Sequence, residues 1–499
     1  MTLLMGRRGL LALALGLAAW FVIPMTAVAE KLPDYHASAG MLNIGKDPER
    51  PDAEIFHVAY TLKGANLATR PVTFVFNGGP GAASIYLHLS AIGPKTIVTA
   101  GDGSFPAVPA RLEENLDSWI TFTDLVFIDP VGTGYSRMLP GPDGKPGDPK
   151  PYYAVESDVD AIAGFIRQWL TVNKRWGSPK AIAGESYAGQ RIAGLSRVLA
   201  EQYGINLNRA VLISPAFNVP LLAEPFPAYE LLHSVTLFPT QAAVAAHHGL
   251  STIKNDPAGF KTAEDYALTG YLTGLATLGR MNAEEQTAFY AKVGGMIGLD
   301  PALVALNRGR IGEAVFANNL LAAQGKVLDL YDGTQASDNP MPEKRDEFPV
   351  SPRSLTILSG VLLPPFMDYL QKDLGYITER PYTVLSLEVS GLWDRKSTLG
   401  TPEDLAVALT QNTDLKALVL HGYQDLGATY FVSRYVLEQS VKSPDARKRL
   451  FFGTYPGGHM FYLRTKSRAE MTADVRSFFE AAPSGHRAAS GAGEGSARP

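Results

Sequence analysis

Residues 180–189 read KAIAGESYAG, and this stretch predicts a buried strand that turns sharply into a helix. Residues 180–183 are a short apolar run, and residues 190–202 have the apolar spacing of a helix. Small residues around Ser186 let the strand and helix backbones approach each other while the hydroxyl stays exposed. The match to the nucleophile pattern GxSxG is loose, because Ala188 stands two residues after the serine and Gly189 three. A serine between small residues is also common in plain turns, so the stretch alone leaves both interpretations open.

The composition excludes several functional classes. The chain has 499 residues, of which 46% are hydrophobic and 19% charged, so it can bury a large core. A formal net charge of -4, with no basic patch beyond the extreme N-terminus, gives no support to nucleic-acid binding. Cysteine is absent, which excludes disulfides, thiolate metal sites and cysteine nucleophiles. We expect neither a metal nor another cofactor.

The N-terminus resembles a secretory signal. An arginine pair precedes the apolar run 9–23, which Pro24 ends, and residues 27–29 form an A-x-A cleavage pattern. The run is shorter than the roughly 20 residues of a membrane-spanning helix. We therefore expect residues 1–29 to be removed after Ala29, leaving an exported protein, periplasmic or secreted, with no membrane span. An uncleaved anchor is the alternative.

Strands and helices alternate in the first half of the chain. Residues 30–52 are interpreted as a polar segment that precedes the first strand. We then expect strands at 54–62, 71–76, 125–129, 180–183 and 210–214, and helices at 82–92, 155–172 and 190–202. This alternation predicts an α/β fold with a mostly parallel sheet and right-handed crossovers.

The alternation of strands and helices ends after this region, and this change predicts an insertion. Residues 217–414 are expected to form a mainly helical cap over the sheet edge. Strands return at 415–420 and 449–453, with helices at 429–440 and 468–481. The predicted α/β core is therefore made of residues 30–216 and 415–481. The tail 482–499 is rich in Gly, Ser and Ala, and we expect it to be disordered.

Three residues suited to nucleophilic catalysis follow predicted strands of this sheet: Ser186, Asp425 and His459. Their chain order is that of the α/β-hydrolase triad. In parallel sheets the reacting groups lie beyond the carboxyl ends of the strands, so the three loops are expected to meet. Asp425 would orient His459, and His459 would take the proton of Ser186.

Three other histidines are possible rivals of His459. His421 lies near Asp425 and is a rival, although a residue at a strand end more often packs locally. His247 and His248 have no paired ligand set around them, which favours a surface position over a metal site. His459 follows two glycines in a loop and is the better candidate.

Donors for an oxyanion are expected from two backbone groups. One is the N–H of Tyr187, directly after the nucleophile, and the other is the N–H of Gly79 in the loop NGGPG, residues 77–81.

Five motifs together resemble those of the serine carboxypeptidases and occur in the same order. They are NGGPG at 77–81, DPVGTGYS at 129–136, GESYAG at 184–189, GYQD at 422–425 and GGHM at 457–460. The resemblance covers residues 55–217 and 415–479, whereas the cap matches only in position. It implies an α/β-hydrolase fold and an enzyme that releases C-terminal residues from peptides through an acyl-enzyme on Ser186.

The resemblance also implies how a peptide substrate is held. Its free carboxylate would bind Asn77 and Glu185, and because two carboxyl groups in contact must share a proton, binding would favour acidic pH. Alternatively, Glu185 could be a polar group whose only role is to support the turn at Ser186. The chain departs from the family pattern at Val75, Ala82 and Ala91, and Ala91 stands where a second glutamate is usual. His88, one turn earlier, could face the same site.

Two other functions stay open at this point. A serine esterase or acyltransferase would keep the triad and change the acyl donor or acceptor. A non-catalytic binding protein on the same fold would have no need of all three triad residues. The sequence leaves the oligomeric state and the side-chain specificity open.

Overall fold

A computed structural model describes residues 31–45, 49–106, 108–141, 144–145, 147–217, 221, 229–340 and 353–480. The predicted signal peptide, 1–29, and the predicted tail, 482–499, lie outside the described residues. Within these residues, no helix combines the length and the apolar character needed to cross a membrane.

The strands of the described residues form one large sheet and two hairpins. In chain order they are β1 (Tyr35–Ile44), β2 (Ala53–Leu62), β3 (Val72–Phe76), β4 (Lys95–Ile97), β5 (Leu112–Glu114), β6 (Asp124–Ile128), β7 (Arg137–Met138), β8 (Lys180–Glu185), β9 (Arg209–Ile213), β10 (Lys326–Leu328), β11 (Ala336–Asp338), β12 (Lys416–Gly422) and β13 (Leu450–Tyr455).

The large sheet has the order β1-β2-β6-β3-β8-β9-β12-β13, with β7 paired to β2. In this spatial order, all neighbouring pairs between β6 and β13 are parallel. The pairs of β2 with β1, β6 and β7 are antiparallel. The predicted mostly parallel sheet is therefore confirmed. Each central strand is a continuous apolar run because both faces of a parallel sheet are covered.

The register of the parallel strands brings several loops together at one edge. Phe76 pairs with Gly184, Glu185 with Ile213, and Gly422 with Tyr455. The chain leaves β3, β8 and β9 within one residue of the same height, and β12 and β13 continue two residues beyond β9. The loops that follow these five strands therefore start at the same edge of the sheet.

Helices flank and follow the strands. In chain order they are α1 (Ile85–Leu87), α2 (Val155–Val172), α3 (Ala188–Tyr203), α4 (Leu232–His247), α5 (Pro257–Tyr266), α6 (Leu272–Thr277), α7 (Ala283–Ile297), α8 (Pro301–Leu306), α9 (Glu313–Asn319), α10 (Arg353–Lys372), α11 (Leu387–Leu392), α12 (Pro402–Gln411), α13 (Tyr430–Ser440), α14 (Pro444–Arg447) and α15 (Thr465–Glu480).

Side chains of the central strands alternate between two apolar clusters, one on each face of the sheet. Phe74 and Ile182 pack with α2, α3 and α12 on one face. Their neighbours Val75 and Ala183 pack with α10 and α15 on the other. This alternation is the period-two pattern of a strand, and it shows that helices cover both faces.

The segment between β9 and β12 is mostly helical and contains the hairpin β10–β11. A third apolar cluster joins α4 and α7 to Leu426 and Tyr430, which follow β12. Helices α10 and α12, although they lie in the same segment, belong to the clusters on the sheet faces. The boundaries of a cap at 217–414 stay a prediction.

Two local predictions differ from the structure. The polar segment before residue 52 contains β1, which pairs with β2 along all ten of its residues. This strand lies at the sheet edge and is half-exposed, so its apolar pattern is weak. The helix expected at 82–92 is shorter, with α1 followed by a π-helical turn, His88–Ile92. Gly93 and Pro94 stop the helix there.

We predict that Asp124 is essential for stability, because its buried carboxylate pairs with two arginines. Arg70 Nε lies 2.8 Å from Oδ1, and Arg175 Nη1 lies 2.5 Å from Oδ2. Asp124→Ala would leave two cations without their partner and lower the free energy of unfolding by about 3–5 kcal/mol. Urea denaturation measures this loss. Asp445→Ala, at an exposed ion pair, is the control and should leave the midpoint unchanged. Equal midpoints for both variants would contradict the prediction.

Candidate active site

Ser186 lies on a strained turn between β8 and α3. Its φ of 63° falls in the left-handed region, which non-glycine residues rarely adopt. The Ser186 backbone N–H donates to Ile213 at 3.0 Å, which fixes the turn to the end of β9. Gly189 explains the loose motif, because a Cβ there would lie 2.6 Å from Pro215. The close approach that the turn needs therefore occurs three residues after the serine.

The structure brings Asp425 and His459 into direct contact. His459 Nδ1 lies 2.7 Å from Asp425 Oδ2, and both side chains are buried. The other oxygen, Oδ1, accepts from the backbone N–H groups of Gly427 and Ala428, each at 2.9 Å. These bonds fix the carboxylate and leave Nε2 of the imidazole for proton exchange.

The charge of Asp425 also sets the basicity of His459. Burial alone would lower the pKa of this imidazole, but the charge and hydrogen bond of Asp425, with a further contribution from Glu185, raise it above its ordinary value. A raised pKa makes His459 a better proton acceptor.

The segment after β9 bridges the serine loop and the histidine loop. Ser186 N–H donates to Ile213, and Ser214 Oγ donates to the carbonyl of His459 at 2.8 Å. The three predicted triad residues thus follow β8, β12 and β13 at one edge of the sheet, and hydrogen bonds through the segment after β9 link the serine loop to the histidine loop.

The glycine loop after β3 packs directly against the serine turn. A Cβ on Gly78 would lie 2.5 Å from the Tyr187 nitrogen and 2.6 Å from the Glu185 oxygen, so only glycine fits. Gly79 follows with a φ of 102°. Tyr187 is the N-cap residue of α3, where the helix dipole is positive. The N–H groups of Gly79 and Tyr187 remain the proposed oxyanion donors.

Glu185 and Asn77 form a buried hydrogen-bonded pair beside the serine. Asn77 Nδ2 donates to Glu185 Oε2 at 2.6 Å, and Tyr462 Oη donates to Oε1 at 2.7 Å. Both Glu185 and Asn77 are only 2% exposed. Burial raises the pKa of Glu185 to about 7, although the charge of His459 and the two hydrogen bonds oppose this rise.

Two supporting groups were not found from the sequence. Arg191 makes a bidentate ion pair with Asp158, with distances of 2.8 and 3.1 Å, and its Nη1 donates to the Asn77 carbonyl at 2.7 Å. This buried guanidinium links the start of the glycine loop to helix α3. The sequence indicates this ion pair only weakly, because Asp158 looks like an ordinary acidic residue in the first turn of a helix.

Asp129 holds the far end of the glycine loop. Its Oδ1 accepts from the backbone N–H of Ser84 at 2.8 Å and from Ser84 Oγ at 2.7 Å. A Cβ on Gly134 would lie 1.8 Å from Oδ2, which explains a glycine in the motif DPVGTGYS. Burial raises the pKa of Asp129 to about 6.

Tyr331, from the insertion, contacts His459. Its carbonyl accepts from the His459 backbone N–H at 2.5 Å, and its ring lies edge-on to the imidazole with centroids 4.7 Å apart. No motif marked this residue, which follows the short strand β10.

The remaining histidines have other environments. Burial lowers the pKa of His421 to about 3, and it is His459 that bonds Asp425. His88 stacks on Phe127 in the core and forms a hydrogen bond with the Tyr60 hydroxyl at 2.7 Å. Its side chain therefore does not face the Asn77–Glu185 pair. Among the described residues, no group of three or more acidic or histidine side chains is arranged to hold a metal ion.

The sheet topology, with a serine on the turn between strand and helix, defines an α/β-hydrolase fold. The crystal structure of a prohormone-processing carboxypeptidase from Saccharomyces cerevisiae has this fold as well. It aligns over 90% of each chain with a TM-score of 0.53 and 18% sequence identity.

Sequence comparison finds a likeness over part of the chain. Residues 27–219 match the model of the serine carboxypeptidases, and this range contains Ser186 but neither Asp425 nor His459. A pheromone-processing carboxypeptidase of Puccinia graminis f. sp. tritici is 31% identical over 156 residues, which cover 30% of this chain and 21% of that protein. The Arabidopsis thaliana protein serine carboxypeptidase-like 36 is 28% identical over 168 residues, 33% of this chain and 31% of its own.

The aligned segments therefore span less than a third of these two relatives. Over residues 27–219, less than half of its length, the chain is similar to the serine carboxypeptidases, and the structural match shows that it shares their fold.

We predict that Gly78→Ala disrupts the site. The new methyl group would collide with the backbone of the serine turn, so the glycine loop must move. A shift of about 1 Å in such a loop can cost about 100-fold in rate. Hydrolysis of a simple chromogenic ester measures the effect. Gly164→Ala, in α2 with open space around the new Cβ, is the matched control and should keep full activity. Full activity of both variants would refute the steric argument.

We predict that Glu185 makes the protein less stable as the pH rises. Its pKa is raised from 4.5 to about 7, so the folded state binds the proton more tightly than the unfolded chain. The stabilising contribution is complete below about pH 4.5 and is lost as the pH rises towards 7. Glu185→Gln should therefore flatten the fall in urea midpoint between pH 5 and pH 8. Glu379→Gln, at an exposed position, serves as control. Parallel curves for the wild-type protein and Glu185→Gln would show that Glu185 does not titrate in this range.

Proposed function

We propose that this protein is a serine carboxypeptidase that releases C-terminal residues from peptides through an acyl-enzyme on Ser186. The observation that carries the proposal is the position of Glu185. This carboxyl group is buried directly before the serine, is bonded by Asn77, and has a pKa near 7. A general esterase has no need of an ionisable group at this place.

The Asp425–His459 contact and the position of Ser186 on its turn support the following chemistry. His459 accepts the proton of Ser186 Oγ as the oxygen attacks the carbonyl carbon of the last peptide bond. Asp425 keeps Nδ1 protonated and stabilises the imidazolium. The imidazolium then protonates the leaving amino group, the C–N bond breaks, and an ester forms on Ser186. Water, deprotonated by His459, hydrolyses this ester and regenerates the serine.

The backbone N–H groups of Gly79 and Tyr187 would stabilise the oxyanion. Both belong to a rigid arrangement, because Gly78 packs against the serine turn and Arg191 holds the Asn77 carbonyl. Donors that are fixed before the reaction need no reorganisation when the charge develops.

Asn77 and Glu185 would hold the substrate's free carboxylate. A protonated Glu185 can donate a hydrogen bond to that carboxylate, whereas an ionised Glu185 repels it. A pKa near 7 therefore supports binding of peptide acids at acidic to neutral pH and weaker binding above it. Peptides with a free C-terminus are the proposed substrates.

An esterase or acyltransferase is the second candidate, and Ala91 favours it, because only one carboxyl group is then available for carboxylate recognition. A non-catalytic binding protein is less well supported, since the buried Asp425–His459 contact has no evident structural need. We also propose export, on the basis of the arginine pair, the apolar run 9–23 and the cleavage pattern before residue 30.

We predict that the protein shortens peptides with a free C-terminus and leaves the same peptides intact when they are amidated. Products are identified by mass after incubation at pH 5 and pH 8, and the KM for the peptide acid is expected to be lower at pH 5, where Glu185 is protonated. Ser186→Ala should lose activity by on the order of 10⁶-fold, because the nucleophile is removed. Cleavage of simple esters without peptide hydrolysis would favour the esterase, and no turnover of any substrate would favour a binding protein.

A further inference from the structure

Tyr462 contacts the proposed carboxylate subsite, and no motif predicted this contact. The residue lies in a single 3₁₀ turn, Phe461–Leu463, three positions after His459. It is fully buried, and its hydroxyl donates to Glu185 Oε1 at 2.7 Å. One short loop thus positions both the proposed base and a donor to the residue next to the nucleophile.

The hydrogen bonds of Glu185 are divided between two donors. Asn77 occupies Oε2 and Tyr462 occupies Oε1, so each carboxyl oxygen already has a partner before a substrate arrives. Donors to both oxygens stabilise the ionised form, because a carboxylate accepts at both oxygens and a carboxylic acid must donate from one of them.

Other ionisable groups surround Glu185, and they differ in kind. His459 and Asp425 contribute by charge, with opposite signs. Tyr86 and Tyr331 are close enough to interact electrostatically, and the Tyr86 hydroxyl is bonded to Ser359 at 2.6 Å. Tyr462 differs from these two tyrosines because it donates a hydrogen bond to the carboxyl group.

A substrate carboxylate must compete with Tyr462. It can approach Glu185 closely only when a proton lies between the two carboxyl groups. That proton must be carried by a Glu185 oxygen, and without substrate each of these oxygens accepts a hydrogen bond from Asn77 or Tyr462. The tyrosine hydroxyl can then rotate and donate to the substrate carboxylate instead, because it has one proton and two lone pairs.

We infer that Tyr462 is a positioning residue that sets the pH range of peptide-acid binding: by donating to Glu185 it favours the ionised carboxylate and restricts recognition to lower pH. The inference rests on the proposed carboxypeptidase function. It assigns to Tyr462 a role in substrate selection, separate from the triad.

The test is the pH profile of kcat/KM for Tyr462→Phe, between pH 5 and pH 9, on two substrates. One is a peptide acid, and the other is an N-acyl amino acid ethyl ester, which has no free carboxylate. Loss of a hydrogen bond to a charged group should move the alkaline limb for the peptide acid upwards by about one pH unit. The limb for the ester should stay in place.

Two further variants identify the groups involved. Tyr86→Phe is the matched control, because it removes a buried hydroxyl near Glu185 that is bonded to Ser359 instead, and it should shift neither limb. Glu185→Gln should abolish the alkaline fall in kcat/KM that is specific to the peptide acid. Replacing Tyr462 with 3-fluorotyrosine keeps the ring and makes the hydroxyl a stronger donor, so the alkaline limb for the peptide acid should move to lower pH. This replacement also tests the inference if the phenylalanine variant does not fold.

A measurement without turnover completes the test. Calorimetric binding of the peptide acid to Ser186→Ala, with and without Tyr462→Phe, should show the same upward shift. Unchanged profiles would overturn the inference while peptide hydrolysis by the wild-type protein upholds the proposed function. Equal shifts for the acid and the ester would place the effect on His459 and also overturn it. Failure of the wild-type protein to hydrolyse peptide acids would overturn both proposals.

Discussion

The in-register ends of the parallel strands are the constraint on which the site depends. Because Phe76 pairs with Gly184 and Glu185 with Ile213, the chain leaves three adjacent strands at one height. Glycines then allow the loops to touch: Gly78 lies on the backbone of the serine turn, where any side chain would collide. The strained φ of Ser186 is tolerated because a hydrogen bond to β9 holds the turn. A slip of one residue in any of these pairs would reverse the faces of the strand and separate the loops.

Burial couples the charge of Glu185 to the charges of Asp425 and His459. Glu185 and Asp425 both act on His459 by charge, and His459 in turn opposes the rise in the pKa of Glu185. A proton taken up by His459 during acylation therefore favours the ionised form of Glu185. Because His459 would pass this proton to the leaving amino group as the C–N bond breaks, the effect would last only while the imidazolium is present.

Much of the fold was predictable from local patterns, whereas the contacts that tune the site were not. Helix α2 was placed with its observed bounds because its apolar residues recur at helical spacing. Ser186, Asp425 and His459 follow strands that read as continuous apolar runs, so their common edge followed from topology. Arg191 bonds Asn77 from 114 positions away, and Tyr462 reaches Glu185 across 277. Such pairs depend on three-dimensional packing, and neither residue belongs to a motif with a stated chemistry.

The insertion lies between the two parts of the core in sequence, and it contacts the proposed base. Tyr331 accepts a hydrogen bond from the backbone of His459 and packs its ring against the imidazole. A Cβ on Gly458 would lie 2.0 Å from the Tyr331 carbonyl, so the histidine loop can pass this segment only because that position is glycine. A displacement of the segment after β10 would therefore move His459 relative to Asp425. The position of the proposed base is thus linked to the insertion through one tyrosine.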